Sequence, residues 1–432
     1  MPRPGPLLAV VLSAQFVIPL SISGTAVALP EIAVSLDSEA AALQWVVNGF
    51  NVAFAVCTIV WGALSDCIGY TRAFRLGVVT AASGGIISAC APNLAVLDAG
   101  RVIAGIGSAA VLTGAAPIIT RAFDGAARAR AFALFGTVNG LGLAAGPAVS
   151  GLIVAGWGWR GIFAVHTVVL LAALLGSARL PDLGRGHSGL RQLLDFRVFT
   201  SPRFVAMALV PVAGAIGFVT FLTYLPGALG AIHGLSAAST GVIMLLMTIP
   251  VLLAPALVHR LLARGLVTPV WVITVSFGCL LAGGAGVLML LRPDLPVAAG
   301  VAPMILLGVG FGLPLGFVDA QALAAVPADR AGSASGVINL LRIGSEALFV
   351  AVYAAILSAV VTGRLPGPAG ELIASGLPGQ PWIYRSGLLA AGGVMLVLVG
   401  LAALTFVLLA RAGRRDEVRA RRASGCCPGC SA

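Results

Sequence analysis

The chain has 432 residues, a formal net charge of +11, only 9% charged residues and a mean hydropathy of +1.05. Soluble domains carry about 25% charged residues, so this composition excludes a water-soluble globular protein and defines an integral membrane protein. The positive charge does not indicate nucleic acid as a partner, because all 26 basic residues are arginines scattered between apolar runs instead of clustered on one face. The seven cysteines form no extracellular disulfide framework. The first apolar run is too long for a cleaved signal peptide and lacks a small-residue cleavage site.

Apolar runs of spanning length fall at 7–30, 43–64, 75–92, 94–118, 130–154 and 160–178. A polar connector at 179–203 follows, then runs at 204–229, 237–258, 267–291, 298–322, 335–361 and 384–410. These runs predict an all-α membrane protein of twelve spans. They divide into an N-terminal six-helix bundle (1–178), a connector (179–203), a C-terminal six-helix bundle (204–410) and a basic tail (411–432). With both ends cytoplasmic, twenty arginines lie inside and four outside (Arg160, Arg292, Arg364 and Arg385), while Arg101 and Arg342 fall within spans. That asymmetry sets the orientation.

The first span carries Gln15, Ser21, Ser23 and Thr25 and ends at Pro30-Glu31; helix packing and substrate contact both account for its hydroxyls. The second presents Gln44, Asn48 and Asn51 on one face. Three amides are costly to leave in lipid, so that face meets either a wet cavity or partner helices.

The loop that follows is the most specific signal: Gly62-Ala-Leu-Ser-Asp66-Cys-Ile-Gly69-Tyr-Thr-Arg72-Ala-Phe-Arg75. A tight glycine turn sets an aspartate among helix ends and arginines, where it can latch. This pattern resembles the motif between helices 2 and 3 of the major facilitator superfamily. Cys67 and Tyr70-Thr71 stand where that family often has basic residues, which weakens the implied latch. In the fourth span, Leu97-Asp98-Ala-Gly-Arg101 through Gly105 and Gly107 resembles the family's buried-arginine motif, with Ala104 in place of a common glutamine. A buried arginine is costly and functional; the alternatives are an Arg101 that snorkels to headgroups or pairs with Asp98.

The fifth span, Gly136–Gly151, is apolar yet glycine-rich, which suits close helix approach inside a membrane. Its Gly142, Gly146, Pro147 and Gly151, with Ser150 replacing one glycine, resemble the helix-5 motif of proton-coupled exporters. Trp157-Gly-Trp159-Arg160 is similar to the following turn in the drug–proton antiporter branch, and Ala28-Leu29-Pro30 with Leu43-Gln-Trp45-Val to its fourteen-helix subgroup. Here twelve spans are counted, and Ser21 stands where that subgroup often has an acid in helix 1, so the proton-carrying acid is expected elsewhere. The opening of the fifth span recurs two hundred residues later: Gly136-Thr-Val-Asn139 becomes Gly336-Val-Ile-Asn339. Beyond the echo, Arg342 and Glu346 replace Gly142 and Gly146. The halves read as a duplication that has specialised.

In the second half, Thr220, Phe221, Thr223 and Tyr224 form an aromatic and hydroxyl patch that suits either an amphipathic ligand or helix packing. His259-Arg260 through Arg264-Gly265 is a worn counterpart of the Asp66 loop. Asp319 lies near the inner end of the tenth span; Asn339, Arg342 and Glu346 share one face of the eleventh. Arg342 and Glu346 are spaced for an i,i+4 pair, which is either structural or part of proton coupling. The tail from Arg411 reads as basic and disordered on anionic lipid, and its lone CxxC at 427–430 is no metal site.

The chain contains no lysine and no GxxxxGK loop, which excludes an ATP-driven pump, and nothing resembles a catalytic constellation or a cofactor site. The resemblance implies a monomeric, proton-coupled exporter of small amphipathic compounds in the cell membrane; the alternative is a proton-coupled importer of a small metabolite on the same fold. Intramembrane charge speaks against a non-transporting receptor. The implied roles are proton coupling by Glu346, Arg342, Asp319, Arg101 and Asp98, and gating by Gly62, Asp66, Gly69, Arg72, Gly142, Gly146, Pro147 and Gly151. Gln15, Asn48, Asn51, Asn139, Phe221, Tyr224 and Asn339 are implied to line the substrate path. The arginine asymmetry predicts that a fluorescent protein fused at the C-terminus is fluorescent in the cytosol, while alkaline phosphatase at the same position is inactive and after residue 93 active; the reverse pattern would invert the topology.

Overall fold

The computed structural model describes residues 4–37, 40–178, 180, 199–315, 317–326 and 331–423. Among them all regular structure is helical. The first half holds α1 (Pro4–Gly24), α2 (Leu29–Ser35), α3 (Ala40–Leu43), α4 (Trp45–Ile68), α5 (Tyr70–Ala89), α6 (Leu94–Ala122) and α7 (Gly125–Ser177). The second holds α8 (Pro202–Gly214), α9 (Thr220–His233), α10 (Ala237–Ala263), α11 (Pro269–Leu290), α12 (Val301–Gly312), α13 (Val318–Leu323), α14 (Ala331–Arg364), α15 (Pro368–Ala374) and α16 (Pro381–Ala423). Every apolar run expected to span coincides with a helix or a helix pair. Eight stretches among the described residues are long and apolar enough to cross a bilayer.

Local chemistry sets the helix ends. Asn93, Ser201, Ser236 and Thr268 each accept an amide of the first turn of the helix that follows. Gly69 (φ 98°, ψ 139°) separates α4 from α5, the tight turn expected of the 62–75 loop. Three differences from the sequence expectations have plain causes. The first span does not stop near residue 30: it runs through a short 3₁₀ turn, Thr25–Ala28, into α2. The fifth and sixth spans form one long helix, α7, kinked at Gly158 (φ 69°, ψ 177°), because only that residue leaves helical geometry between them. The tail expected to be disordered from Arg411 continues as α16 to Ala423, since its Arg, Ala and Glu residues are strong helix formers; the CxxC lies outside the described residues.

Packing inside the first half rests on glycines. A Cβ on Gly77 would meet Val111 N at 2.7 Å and Gly107 O at 2.8 Å, and one on Gly100 would meet Gly84 O at 2.9 Å. These two glycine pairs draw α5 and α6 into backbone contact over their length. The elements that carry the repeated Gly-x-x-Asn both cross between halves, α7 onto α10 and α14 onto α4.

The apolar cores show how the halves meet. One core is built only from first-half residues, among them Phe50, Phe54, Phe74, Val78, Ile118 and Ile119. The other runs through the second half and also takes in Ala26, Ala28, Leu29, Ile32, Ala33, Leu43, Val46, Val47, Leu97, Trp159 and Phe163. All of those first-half members lie toward the face opposite the chain ends. The halves are therefore packed together at that face and have separate cores on the face that carries the termini.

Gly158 holds a conformation that is essentially reserved for glycine, costing of the order of 1–3 kcal/mol for any other residue. Gly158→Ala is expected to lower the melting temperature of the detergent-purified protein. Gly156→Ala, where an added Cβ meets nothing within 4 Å, should leave it unchanged. Equal melting temperatures for the two variants would contradict this account.

Candidate functional site

The glycine-rich stretch of α7 is wedged between α1 and α10. A Cβ on Gly142 would come within 2.7 Å of Pro19 Cγ and 2.9 Å of Phe16 O. One on Gly146 would overlap Ser23 Oγ and sit 3.2 Å from Gly24 N. Gly24 reciprocates, its Cβ position lying 2.9 Å from Gly146 O. On the other side of α7, Gly151 abuts the backbone of Ala237, and Gly241 that of Pro147 and Ala148. A side chain at Gly142 or Gly151 would thus displace backbone, and one at Gly146 would displace the Ser23 hydroxyl and press on the backbone of Gly24. Ser23 Oγ lies 3.0 Å from Pro19 O and 3.4 Å from Gly142 O, tying α1 to α7.

Below this wedge Gln15 Nε2 donates to Asn139 Oδ1 at 3.0 Å, joining two residues expected to line the substrate path. Gln15 Oε1 and Asn48 Oδ1 are buried with no hydrogen bond among the described residues. Asn51 is buried as well. The amide face of α4 thus meets protein in this conformation.

Arg101 is 2% exposed, so it does not snorkel. Its Nε donates to Val46 O at 2.8 Å and its Nη1 to Ser21 Oγ at 2.9 Å. The guanidinium also lies 4.4 Å from the centre of the Phe50 ring and 5.4 Å from that of Phe163. These bonds replace the pairing with Asp98, whose Oδ1 is buried without a hydrogen bond. His166 Nε2, on the sixth span, is a further buried atom without a partner.

At the face opposite the chain ends the two halves share a polar and aromatic plug. Tyr224 OH lies 2.7 Å from Gln44 Oε1 on the other half and 3.1 Å from Val350 O on α14. Tyr353 stacks on Tyr224 with ring centres 4.5 Å apart, and Phe221 meets Tyr353 edge-on at 6.3 Å. Phe221 and Tyr224 are buried here, so they seal this face instead of lining an open space. Nearby, Glu31 Oε1 accepts the Trp159 amide at 3.2 Å across the Gly158 kink.

Charge gathers toward the other face. Arg342 Nη2 donates to Asp319 Oδ1 at 2.6 Å, with side chains 30% and 47% exposed. The i,i+4 pair expected between Arg342 and Glu346 is thus replaced by a pair across helices. The break between α12 and α13 is what brings Asp319 up to Arg342. Glu346 has no hydrogen bond or ion pair among the described residues. Arg342 and Asp319 line a narrow cleft together with Pro211, Gly214, Leu280, Phe311, Leu315 and Val318. Phe311 is braced by Phe218, their rings stacked 4.3 Å apart.

In the 62–75 loop, Ser65 Oγ donates to Gly62 O at 2.9 Å, and Arg72 stands exposed in the first turn of α5. The side chains of Asp66 and Asn339 lie outside the described residues. Tyr70, one of the departures noted in that loop, supports the Arg121 guanidinium 4.6 Å above its ring. Arg75 donates to Ser177 O and Leu180 O at 2.7 and 2.9 Å, fastening α5 to the end of α7.

The model of the Major Facilitator Superfamily matches residues 11–349. The chain belongs to this superfamily. It is a multi-pass membrane transporter, and its twofold helical plan is that of the family. The chain is 27% identical to the multidrug resistance protein Stp of Mycobacterium tuberculosis, over 78% of this chain and 73% of that one. It is 27% identical to the puromycin resistance protein pur8 of Streptomyces alboniger, over 95% and 92%. Among solved structures it is similar to an inward-facing, unoccupied bacterial homologue of the human lysosomal transporter Spinster. That likeness has a TM-score of 0.71 at 17% identity and covers 96% and 98% of the two chains, a likeness of fold.

The sequence reading of this major facilitator missed the Gln44–Tyr224–Tyr353 plug and the α5–α6 glycine seats. The seats had a legible signal, since Gly77 and Gly84 and likewise Gly100 and Gly107 recur every seven residues on one face. The plug had none, because its members come from the residue that caps α4, from α9 and from α14. The wedge generates a direct test: Gly146→Leu is expected to insert in the membrane at normal levels but to lose transport, because α7 can no longer seat on α1. Wild-type transport by that variant at matched expression would refute a packing role.

Proposed function

We propose that this chain is a proton-coupled exporter of small amphipathic organic compounds such as drugs, antibiotics or secondary metabolites. It works as a monomer in the cell membrane with both termini cytoplasmic. The observation that carries the reading is the arrangement of charge and closure. The halves are sealed by the Tyr224–Gln44 plug at one face, while Asp319 and Arg342 are part-exposed at the other. An exporter must load from the cytoplasm, and the side that bears the charged cleft is the side given to the cytoplasm by the arginines.

The named relatives support the direction of transport, since both are resistance proteins. The alignment with the Streptomyces protein runs over 475 positions, longer than the whole 432-residue chain. That excess fits a chain with twelve spans set beside a longer relative. In this reading 1–178 and 204–410 rock about an axis along the membrane normal, with 179–203 as connector. The α7 wedge against α1 and α10 is a bearing surface for that motion.

Glu346 carries the proton in this scheme, with Asp319 in reserve. Glu346 lies on α14 roughly 22 Å from its start at 1.5 Å per residue, deeper than Glu31, Asp66 or Asp98 are from their ends. A carboxyl at such depth alternates between an ionised form held by Arg342 and a neutral form when the two separate. The test is uptake of a fluorescent amphipath into everted vesicles under an imposed pH gradient, acid inside. Glu346→Gln is expected to abolish uphill accumulation while still binding substrate. If it accumulates normally and Asp319→Asn does not, the carrier is Asp319; if both do, the proton site lies with Arg101 and Asp98.

A further inference from the structure

We propose that the cavity between Glu31 and the 376–378 loop, at the face opposite the chain ends, binds a small primary alkylammonium ion and so ties the two halves together there. The site is separate from the transport path described above, and its occupation does not depend on the exporter reading.

The cavity has a volume of about 240 Å³. That is the space of about eight water molecules at about 30 Å³ each, and it falls below the range of about 300–1,000 Å³ that drug-sized ligands occupy. Val27, Pro30 and Glu31 of the first half form one wall. The other is formed in the second half by Pro226 and Gly230 on α9, Thr240 on α10 and the 376–378 loop. This loop is seated on α9 backbone to backbone. Gly376 has φ 101°, and a Cβ there would come within 2.6 Å of Gly227 Cα. A Cβ on Gly230 would lie 2.9 Å from Gly376 O. With Pro30, Pro226 and Pro378 also in the walls, the cavity is preformed, which spares a ligand the cost of ordering it. Pro226 and Gly230 follow Tyr224 toward the end of α9, so the cavity lies beyond the Tyr224–Gln44 bond, away from the Asp319–Arg342 pair.

Glu31 and Thr240 are the only lining residues with polar side chains. Glu31 Oε1 accepts the Trp159 amide at 3.2 Å, whereas Oε2 has no bonding partner among the described residues. No cationic side chain pairs with this carboxylate among those residues either. Thr240 is buried, and its hydroxyl makes no hydrogen bond there. A carboxylate without a counter-ion thus faces a preformed space that also offers one uncommitted hydroxyl.

That combination selects among ligands. An anion is repelled by Glu31, and a neutral molecule leaves its charge unpaired. A divalent metal ion takes about six or more oxygens, and no three His, Cys, Asp or Glu side chains gather among the described residues. A primary ammonium matches the groups present. It can donate to Glu31, to the Thr240 hydroxyl and to water at the open side of the cavity, and charge-assisted bonds of this kind are the strong ones. Its short alkyl chain then lies against Val27, Leu235 and Leu377. Such a ligand touches both halves at once, so it favours the conformation in which they are closed at this face.

The experiment uses the full-length protein purified in detergent and titrated with n-butylammonium chloride at fixed pH and ionic strength. The uncharged analogue is n-butanol, and tetramethylammonium supplies a cation without N–H donors. n-Butylammonium is expected to raise the melting temperature saturably, with a Kd of about millimolar, and the other two are not. Hydrogen–deuterium exchange should slow in 26–35 and in 370–380 together. Glu31→Gln retains an acceptor for the Trp159 amide and should weaken binding about tenfold. Thr240→Val changes no charge and should weaken it about threefold. The proposal is overturned if the stabilisation does not saturate, if n-butanol or tetramethylammonium binds as tightly, if either variant binds as the wild type does, or if the slowed exchange is confined to one half.

Discussion

Close approach of helix backbones is the constraint on which this structure depends. Lipid offers apolar helices no hydrophobic reason to associate, so they adhere through contact area and interhelical bonds. Here that area is obtained by deleting side chains where helices cross. Gly142 and Gly146 admit α1, Gly151 and Gly241 join α7 to α10, and Gly77, Gly84, Gly100 and Gly107 join α5 to α6. A wedge of glycines thus gives cohesion within the first half and close contact with the second.

Polar groups in such an interior are costly unless bonded, and the two halves handle them differently. The first half binds its one deep arginine with a hydroxyl, a carbonyl and two aromatic rings, none of them charged. The second half pairs its arginine with Asp319 and leaves the pair part-exposed in a cleft. Divergence of the repeated stretch, with Gly142 and Gly146 replaced by Arg342 and Glu346, assigns packing to one copy and charge to the other.

Closure at one face follows from side chains contributed by both halves. Tyr224 bonds to Gln44 across the boundary between halves, and Tyr353 stacks on Tyr224 behind it. Glu31 and the Gly158 kink brace the same face from the side of α2 and α7. None of these residues would hold the halves together alone. Their joint burial explains why a single apolar core bridges the molecule there and not at the face of the chain ends.

Much of this molecule is dictated by sequence alone, because the membrane imposes local rules. A span must be apolar for about twenty residues, so the helices were legible from hydropathy. Gly69 and the helix-5 glycines were legible because a backbone turn or a close approach admits no other residue. What the chain order does not contain is which helix faces which. Arg342 is four residues from Glu346 and 23 from Asp319, yet it bonds the distant acid, because the break after α12 swings Asp319 across the gap. Arg101 likewise passes over Asp98, three residues away, for Ser21 eighty residues back. The kink that makes one helix of two spans, the Tyr224–Gln44 seal and the choice of ion pair were decided by packing, where the partner is set by distance in space.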